Sequence, residues 1–330
     1  MAFATSRLMR QDGSSLALYS WPAPRAPIKA AIQIAHGMAE HAGRYDRLAQ
    51  ALSRAGYVVY ASDHRGHGLT AQKPEEFGYF ADRDGWRALV DDQRLVNDHI
   101  AREWPTLPRV LYAHSFGSFV AQAYLYTYGE TLRGAILSGT NSGVAGLVRA
   151  TRWVARAERL RVGAHRTSKL LHALLLGDYN RRFRPTRTAF DWLSGDPDEV
   201  DKYLADPLCG FDLSTHGWID VMTGLIANDD PANLGRVPKG LPIHIFSGAH
   251  DPVGRNGAGP RSLAAAYQRA GVTNVSCKLY PGARHEMINE TNRDQVTADL
   301  IATLDTWRDT WLDTNVARPV PAQLSASQHA

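Results

Sequence analysis

The sequence predicts an α/β fold: a mostly parallel central sheet with helices on both faces and an inserted helical cap. Two observations predict it. Short apolar runs rich in valine and isoleucine alternate with amphipathic segments of helical period, as in a parallel sheet covered on both faces. From residue 141 to 237 the alternation stops and helical periodicity continues with few strand signals. The 330 residues are enough to bury one large core with an insertion.

The elements follow from local pattern. Residues 5–21 have the pattern of an antiparallel edge hairpin, turned at Asp12-Gly13, a dipeptide that accepts positive φ. The predicted parallel strands are residues 30–37, 57–63, 109–114, 132–139, 242–248 and 275–282. The predicted helices are residues 45–56, 85–104, 115–128, 261–270 and 292–312.

These elements predict four segments. Residues 1–140 and 238–314 form the two halves of the core, and residues 141–237 form the cap. Residues 315–330 are rich in proline, alanine, serine and glutamine, a composition that predicts a disordered tail.

Composition excludes several classes of function. A net charge of +4 without a run of lysine or arginine argues against a nucleic-acid partner. The two cysteines, Cys209 and Cys277, are too few for a disulfide framework or a zinc site, and we expect no metal or other cofactor. No apolar run reaches the length of a signal peptide or a membrane span, so we expect a cytoplasmic protein.

The stretch "AHSFG" places a serine between a predicted strand and a predicted helix. Ligands of an open parallel sheet lie beyond the carboxyl ends of its strands. A Gly-x-Ser-x-Gly elbow exposes a serine oxygen there, and in this chain Ala113 replaces the first glycine while Gly117 keeps the second. Ser115 is therefore the predicted nucleophile; the alternative is that it only caps the helix.

A serine hydroxyl needs a base, and the base needs an orienting acid. Asp251 and His285 each follow one of the last two predicted strands, and the order Ser, Asp, His is the order that this architecture uses. We predict a triad of Ser115, Asp251 and His285, with His250 as the competing base.

The predicted oxyanion hole consists of two backbone N–H groups. One belongs to Phe116, directly after the nucleophile, and the other to Met38, in the glycine turn after the first parallel strand. An ordinary glycine turn is the alternative for the second.

Five motifs carry a family resemblance: "HGMAEHAGRY" (36–45), "DHRGHG" (63–68), "AHSFGS" (113–118), "SGAHDPV" (247–253) and "GARHEMINE" (282–290). Together they resemble the monoacylglycerol lipase and lysophospholipase branch of the α/β-hydrolase superfamily. The resemblance implies an α/β-hydrolase fold and a serine esterase of small acyl esters with the triad and oxyanion amides above. It also implies that His36, Glu40 and Arg44 shape the first loop.

The sequence departs from the family pattern at Ala113, at Ser118 and at Leu69-Thr70. The cap aligns with nothing. We expect it to line an acyl pocket, with plain core packing as the alternative. The candidate lining residues are Leu170, Leu171, Leu174, Leu175, Trp218, Met222 and Leu225.

The first half of the cap is strongly basic. Residues 146–187 hold ten arginines and one lysine against Glu158 and Asp178. Three interpretations stay open: guanidinium groups at the pocket mouth select anionic esters, the cap contacts an anionic membrane surface, or the face is merely solvated.

Four other functions fit the sequence less well. A proline iminopeptidase on this fold needs cap carboxylates, of which the basic half has few, and a non-catalytic binding protein usually loses a triad member. An epoxide hydrolase needs aspartate at position 115, and a nicotinamide enzyme needs G-x-G-x-x-G after the first parallel strand.

Overall fold

The computed structural model describes residues 3–22 and 27–313. The predicted tail, residues 315–330, lies outside them. Eight strands form one sheet: β1 (Ala4–Met9), β2 (Ser15–Ser20), β3 (Ala30–Ala35), β4 (Tyr57–Ser62), β5 (Arg109–His114), β6 (Gly134–Ser138), β7 (Ile243–Gly248) and β8 (Val275–Tyr280).

The strand order is β1-β2-β4-β3-β5-β6-β7-β8. The β1–β2 and β2–β4 pairs are antiparallel and the other neighbours are parallel. The mostly parallel sheet with an edge hairpin is therefore confirmed.

Ten helices accompany the sheet in the described residues: α1 (Asp46–Arg54), α2 (Gly85–Glu103), α3 (Phe116–Tyr128), α4 (Ala145–Val162), α5 (Lys169–Leu175), α6 (Pro197–Ala205), α7 (Thr215–Asn228), α8 (Pro231–Leu234), α9 (Ala258–Arg269) and α10 (Arg293–Asp313). Apolar residues of α1 and α10 share one buried cluster with the sheet, and those of α2, α3 and α9 share another. The sheet is thus covered on both faces, as predicted. None of the helices that the structure describes has the length and hydrophobicity needed to cross a bilayer.

Helices α4 to α8 form an insertion between β6 and β7, and its residues 141–237 contain no strand. Helix α7 links this insertion to the core because it packs against α4 on one side and against α2 and α3 on the other. Gly224 of α7 allows the close approach to α2: a Cβ at this position would lie 1.9 Å from Cε2 of Trp86.

We predict that Gly224→Ala destabilises the protein by about 1–3 kcal/mol, because the added methyl must displace a packed indole. Gly146 in α4 is the matched control, since a Cβ there meets nothing within 4 Å. Gly146→Ala should stabilise by about 0.4–1 kcal/mol through the unfolded chain. Denaturant midpoints that fall for the first variant and rise for the second support this packing; an unchanged midpoint for Gly224→Ala contradicts it.

Candidate active site

Ser115 lies in the turn between β5 and α3, at φ 50° and ψ −120°. A non-glycine residue adopts this backbone only where its surroundings impose it. Here α3 packs tightly on β3: a Cβ on Gly117 would lie 2.4 Å from the carbonyl oxygens of Ala35 and His36. The Ser115 side chain makes no capping hydrogen bond to α3, so the helix-cap alternative does not describe its contacts.

Three residues that the sequence placed in one triad lie in a continuous chain of hydrogen bonds. The Ser115 hydroxyl donates to Nε2 of His285 over 2.8 Å, and the Nδ1–H of His285 donates to Oδ1 of Asp251 over 2.9 Å. Ser247 Oγ–H and the Val253 N–H donate to the carboxylate of Asp251 over 2.7 and 2.9 Å. The base in contact with Ser115 is thus His285 and not the alternative, His250.

Burial and charge act in opposite directions on these side chains. Burial lowers the pKa of His285, but the carboxylates of Asp251, Glu286 and Glu40 outweigh it, so the pKa lies above its ordinary 6.5. Burial raises the pKa of Asp251, and hydrogen bonds and the charge of His285 bring it below 3.8. At neutral pH the site therefore has an ionised Asp251 carboxylate next to His285, whose basicity is increased.

The predicted oxyanion amides lie in two turns at the same edge of the sheet. Met38 is in the loop after β3, where the Gly37 N–H donates to Oε1 of Glu40 over 2.5 Å and Ala39 has φ +53°. Phe116 begins α3, so its N–H has no partner within the helix. Neither the Met38 nor the Phe116 N–H donates to any group in the described part of the chain. Their role as an oxyanion hole stays a prediction.

A buried ion network joins the two sides of the site. Arg44 donates to Oε2 of Glu40 over 2.5 Å and binds both oxygens of Glu286 over 2.7 Å. Glu40 holds the loop of Met38, and Glu286 directly follows His285. The resemblance suggested loop-shaping roles for Glu40 and Arg44, but sequence reasoning missed Glu286, although it is part of "GARHEMINE".

Sequence reasoning also missed two aromatic side chains of the cap. The Trp192 ring lies 5.1 Å from the His285 ring, and the Tyr179 ring lies 4.9 Å from Trp192. The N–H groups of His285 and Glu286 both donate to the carbonyl of Leu193, over 3.1 and 2.7 Å. Residues 179–193 carry no motif that would have revealed these contacts.

The candidate residues of the acyl pocket differ in burial. Leu171, Trp218 and Met222 are buried in the apolar cluster that includes Phe116, and Leu175 packs against it half-buried. Leu174 is 56% exposed and is therefore not part of this cluster.

Within the described residues, one group of side chains has mutual distances suited to a metal ion. It comprises His41, Asp206 and Cys209 and contains no member of the predicted triad.

The fold and the serine-centred site define an α/β-hydrolase. Residues 26–292 match the family described as Hydrolase_4, serine aminopeptidase, S33, so the chain belongs to this family of hydrolases.

Relatives are similar over most of their length. The monoacylglycerol lipase of Mycolicibacterium smegmatis is 30% identical over 283 residues, which are 84% of this chain and 88% of that protein. The monoglyceride lipase of Rattus norvegicus is 27% identical over 91% of this chain and 88% of its own. A thermostable carboxyl esterase from Bacillus coagulans, solved in complex with glycerol, is 28% identical with a TM-score of 0.85, covering 93% of this chain and 99% of its own. The resemblance stated from the motifs is confirmed.

We predict that His285 titrates above pH 6.5 and that Asp251→Asn lowers its pKa. The substitution removes the carboxylate that raises this pKa most and leaves the burial that lowers it. The downfield Nδ1–H proton resonance of His285, followed against pH by NMR, measures both values. A wild-type midpoint at or below 6.5, or no change on substitution, contradicts the electrostatic account.

Proposed function

We propose that the chain hydrolyses carboxylic esters with small alcohol groups, foremost monoacylglycerols and similar acyl esters such as lysophospholipids, through Ser115, His285 and Asp251. The observation that carries the proposal is the unbroken hydrogen-bond chain from the serine hydroxyl to the buried carboxylate. The names of the lipase and esterase relatives support the substrate class.

In the proposed reaction Ser115 Oγ attacks the ester carbonyl while His285 Nε2 takes the hydroxyl proton. The negative charge that develops on the carbonyl oxygen is met by the N–H groups of Met38 and Phe116. His285 then gives its proton to the departing alcohol, and an acyl-enzyme remains. Water attacks by the same route and regenerates the serine. Asp251 keeps the imidazole in the required tautomer throughout.

The family description names a peptidase, and three of the four buried cap carboxylates are already paired within the described residues. An aminopeptidase needs a carboxylate available for the amino group of its substrate. Of the buried cap carboxylates, Glu158 pairs with Arg161, Glu199 with Lys202, and Asp191 with Thr188. The fourth, Asp220, lies against Gly85 at the start of α2, and its Oδ2 has no hydrogen-bond partner among the described residues, so the anilide assay below tests whether it serves an amino group.

The first experiment measures hydrolysis of 1-monoacylglycerols and p-nitrophenyl esters from acetate to laurate, beside prolyl p-nitroanilide. Wild type should hydrolyse the esters and not the anilide, and Ser115→Ala should lower kcat by about 10⁴-fold or more. Circular dichroism shows whether the variant is folded. Ester turnover that persists without the serine rejects the triad, and faster anilide hydrolysis establishes the peptidase.

We also propose that the cap contacts an anionic membrane surface. Six large apolar side chains of α4 and α5 are 36–88% exposed: Leu147, Trp153, Val154, Leu160, Leu170 and Leu174. Arginines surround them, and the Arg156 guanidinium lies 4.8 Å from the Trp153 ring. A helix that exposes leucine and tryptophan beside arginine is typical of interfacial helices. This exposure favours the membrane interpretation over a merely solvated face.

Trp153→Asp combined with Leu160→Asp should lower binding to phosphatidylserine-containing vesicles by about tenfold or more, because apolar area is lost and charge repulsion is added. Met9→Asp is the matched control: Met9 is 59% exposed on the edge strand β1, away from the cap. Vesicle sedimentation measures the binding. Wild type that fails to sediment with the vesicles establishes the solvated face.

A further inference from the structure

The cluster of His41, Asp206 and Cys209 lies where the cap meets the loop after β3. One ligand atom from each side chain lies within 4.8 Å of the others, and all three residues are half-buried. The Nε2–H of His41 donates to Oδ2 of Asp206 over 2.9 Å, although the two residues are 165 positions apart in the chain. The number of cysteines in the sequence predicts no zinc site, because a count cannot show that His41 lies close to Asp206 and Cys209 in the fold.

The local turn presents two of the donors together. In "DPLCG" (206–210) the Cys209 N–H donates to the Asp206 carbonyl over 3.0 Å, and the Leu208 N–H donates to Oδ1 of Asp206 over 2.9 Å. Gly210 then turns the chain with φ +75°. Two ligands separated by two residues is a spacing that structural zinc sites use. This turn uses it with aspartate in the first position and cysteine in the second.

Neighbouring charges do not repel a cation from this cluster. Arg44 is the nearby positive group, and its guanidinium is paired with both Glu40 and Glu286. Asp206 and a Cys209 thiolate would together balance a divalent ion. Imidazole, carboxylate and thiolate are all ligands of Zn²⁺, and the thiolate disfavours Mg²⁺ and Ca²⁺.

We propose that His41, Asp206 and Cys209 form a Zn²⁺ site that ties the cap to the core, with water as the fourth ligand. Binding releases the thiol proton of Cys209 to solvent. It also moves the proton of His41 from Nε2 to Nδ1, which gives up the 3.2 Å hydrogen bond that it accepts from the Gly43 N–H. Two ligands come from the cap and one from the loop of Met38, so the bound ion resists separation of the two parts. The site does not depend on the proposed ester hydrolysis.

The direct test titrates the metal-free full-length protein with Co²⁺, whose near-ultraviolet charge-transfer band reports thiolate ligation. Wild type should bind one equivalent with this band, and Zn²⁺ should displace it. Cys209→Ser should abolish the band, and His41→Gln should weaken binding by about tenfold or more. Cys277→Ser, at the exposed second cysteine in β8, is the matched control and should behave as wild type. A wild type without the band, or a band lost in the Cys277 variant instead, overturns the site.

A thermal test covers the case in which Cys209→Ser does not fold. Saturating Zn²⁺, at about 100 times Kd, multiplies the folding equilibrium constant about 100-fold and raises the Tm of a protein that binds it in the folded state. The rise should appear in wild type and Cys277→Ser, and should be clearly smaller in Asp206→Asn and His41→Gln, because the same Zn²⁺ concentration is then a smaller multiple of Kd. Equal rises in all four proteins would place the metal elsewhere and reject the proposal.

Discussion

The guanidinium of Arg44, shared between Glu40 and Glu286, is the interaction on which the geometry of the site depends. Side chains of the arginine and both carboxylates are at most 10% exposed, so their charges are largely withdrawn from water. Removing one partner of such a network leaves an uncompensated buried charge, which costs about 3–5 kcal/mol. Burial raises the pKa of Glu286, but the bidentate contact with Arg44 brings it down to about 2. Burial and the charge of Glu286 raise the pKa of Glu40, so Glu286 is the carboxylate that holds its negative charge most firmly. The network joins the loop of Met38 to that of His285.

The elbow around Ser115 explains why the departures from the glycine pattern are tolerated. The position that must lack a side chain is Gly117, which faces the carbonyl groups at the end of β3. Ala113 adds one methyl group and is fully buried in the core. Ser118 uses its hydroxyl to donate to the Ser115 carbonyl over 2.5 Å, so its polar group is satisfied locally. Close packing thus restricts the side chain at position 117 far more than the side chains at positions 113 and 118.

The sheet could be predicted because each of its parallel strands is a short apolar run. The triad of Ser115, Asp251 and His285 could be predicted because each of these residues follows such a run. The contacts of Glu286 and Trp192 could not. They depend on chain segments that meet only after folding, and residues 179–193 include an irregular stretch without periodicity. The pKa of His285 depends on folding in the same way, because the carboxylates that raise it above 6.5 come from separate segments of the chain.

The carbonyl of Leu193 accepts hydrogen bonds from the backbone N–H groups of both His285 and Glu286. Main-chain atoms make these bonds, so almost any side chain at position 193 preserves them as long as the path of the chain is kept. Substitutions can therefore accumulate in this part of the cap while its backbone hydrogen bonds to the loop of His285 are kept. The sequence of a cap can then lose all similarity to its relatives while its backbone still supports the site. Exchanging whole caps between relatives would therefore disturb the loop that carries the base.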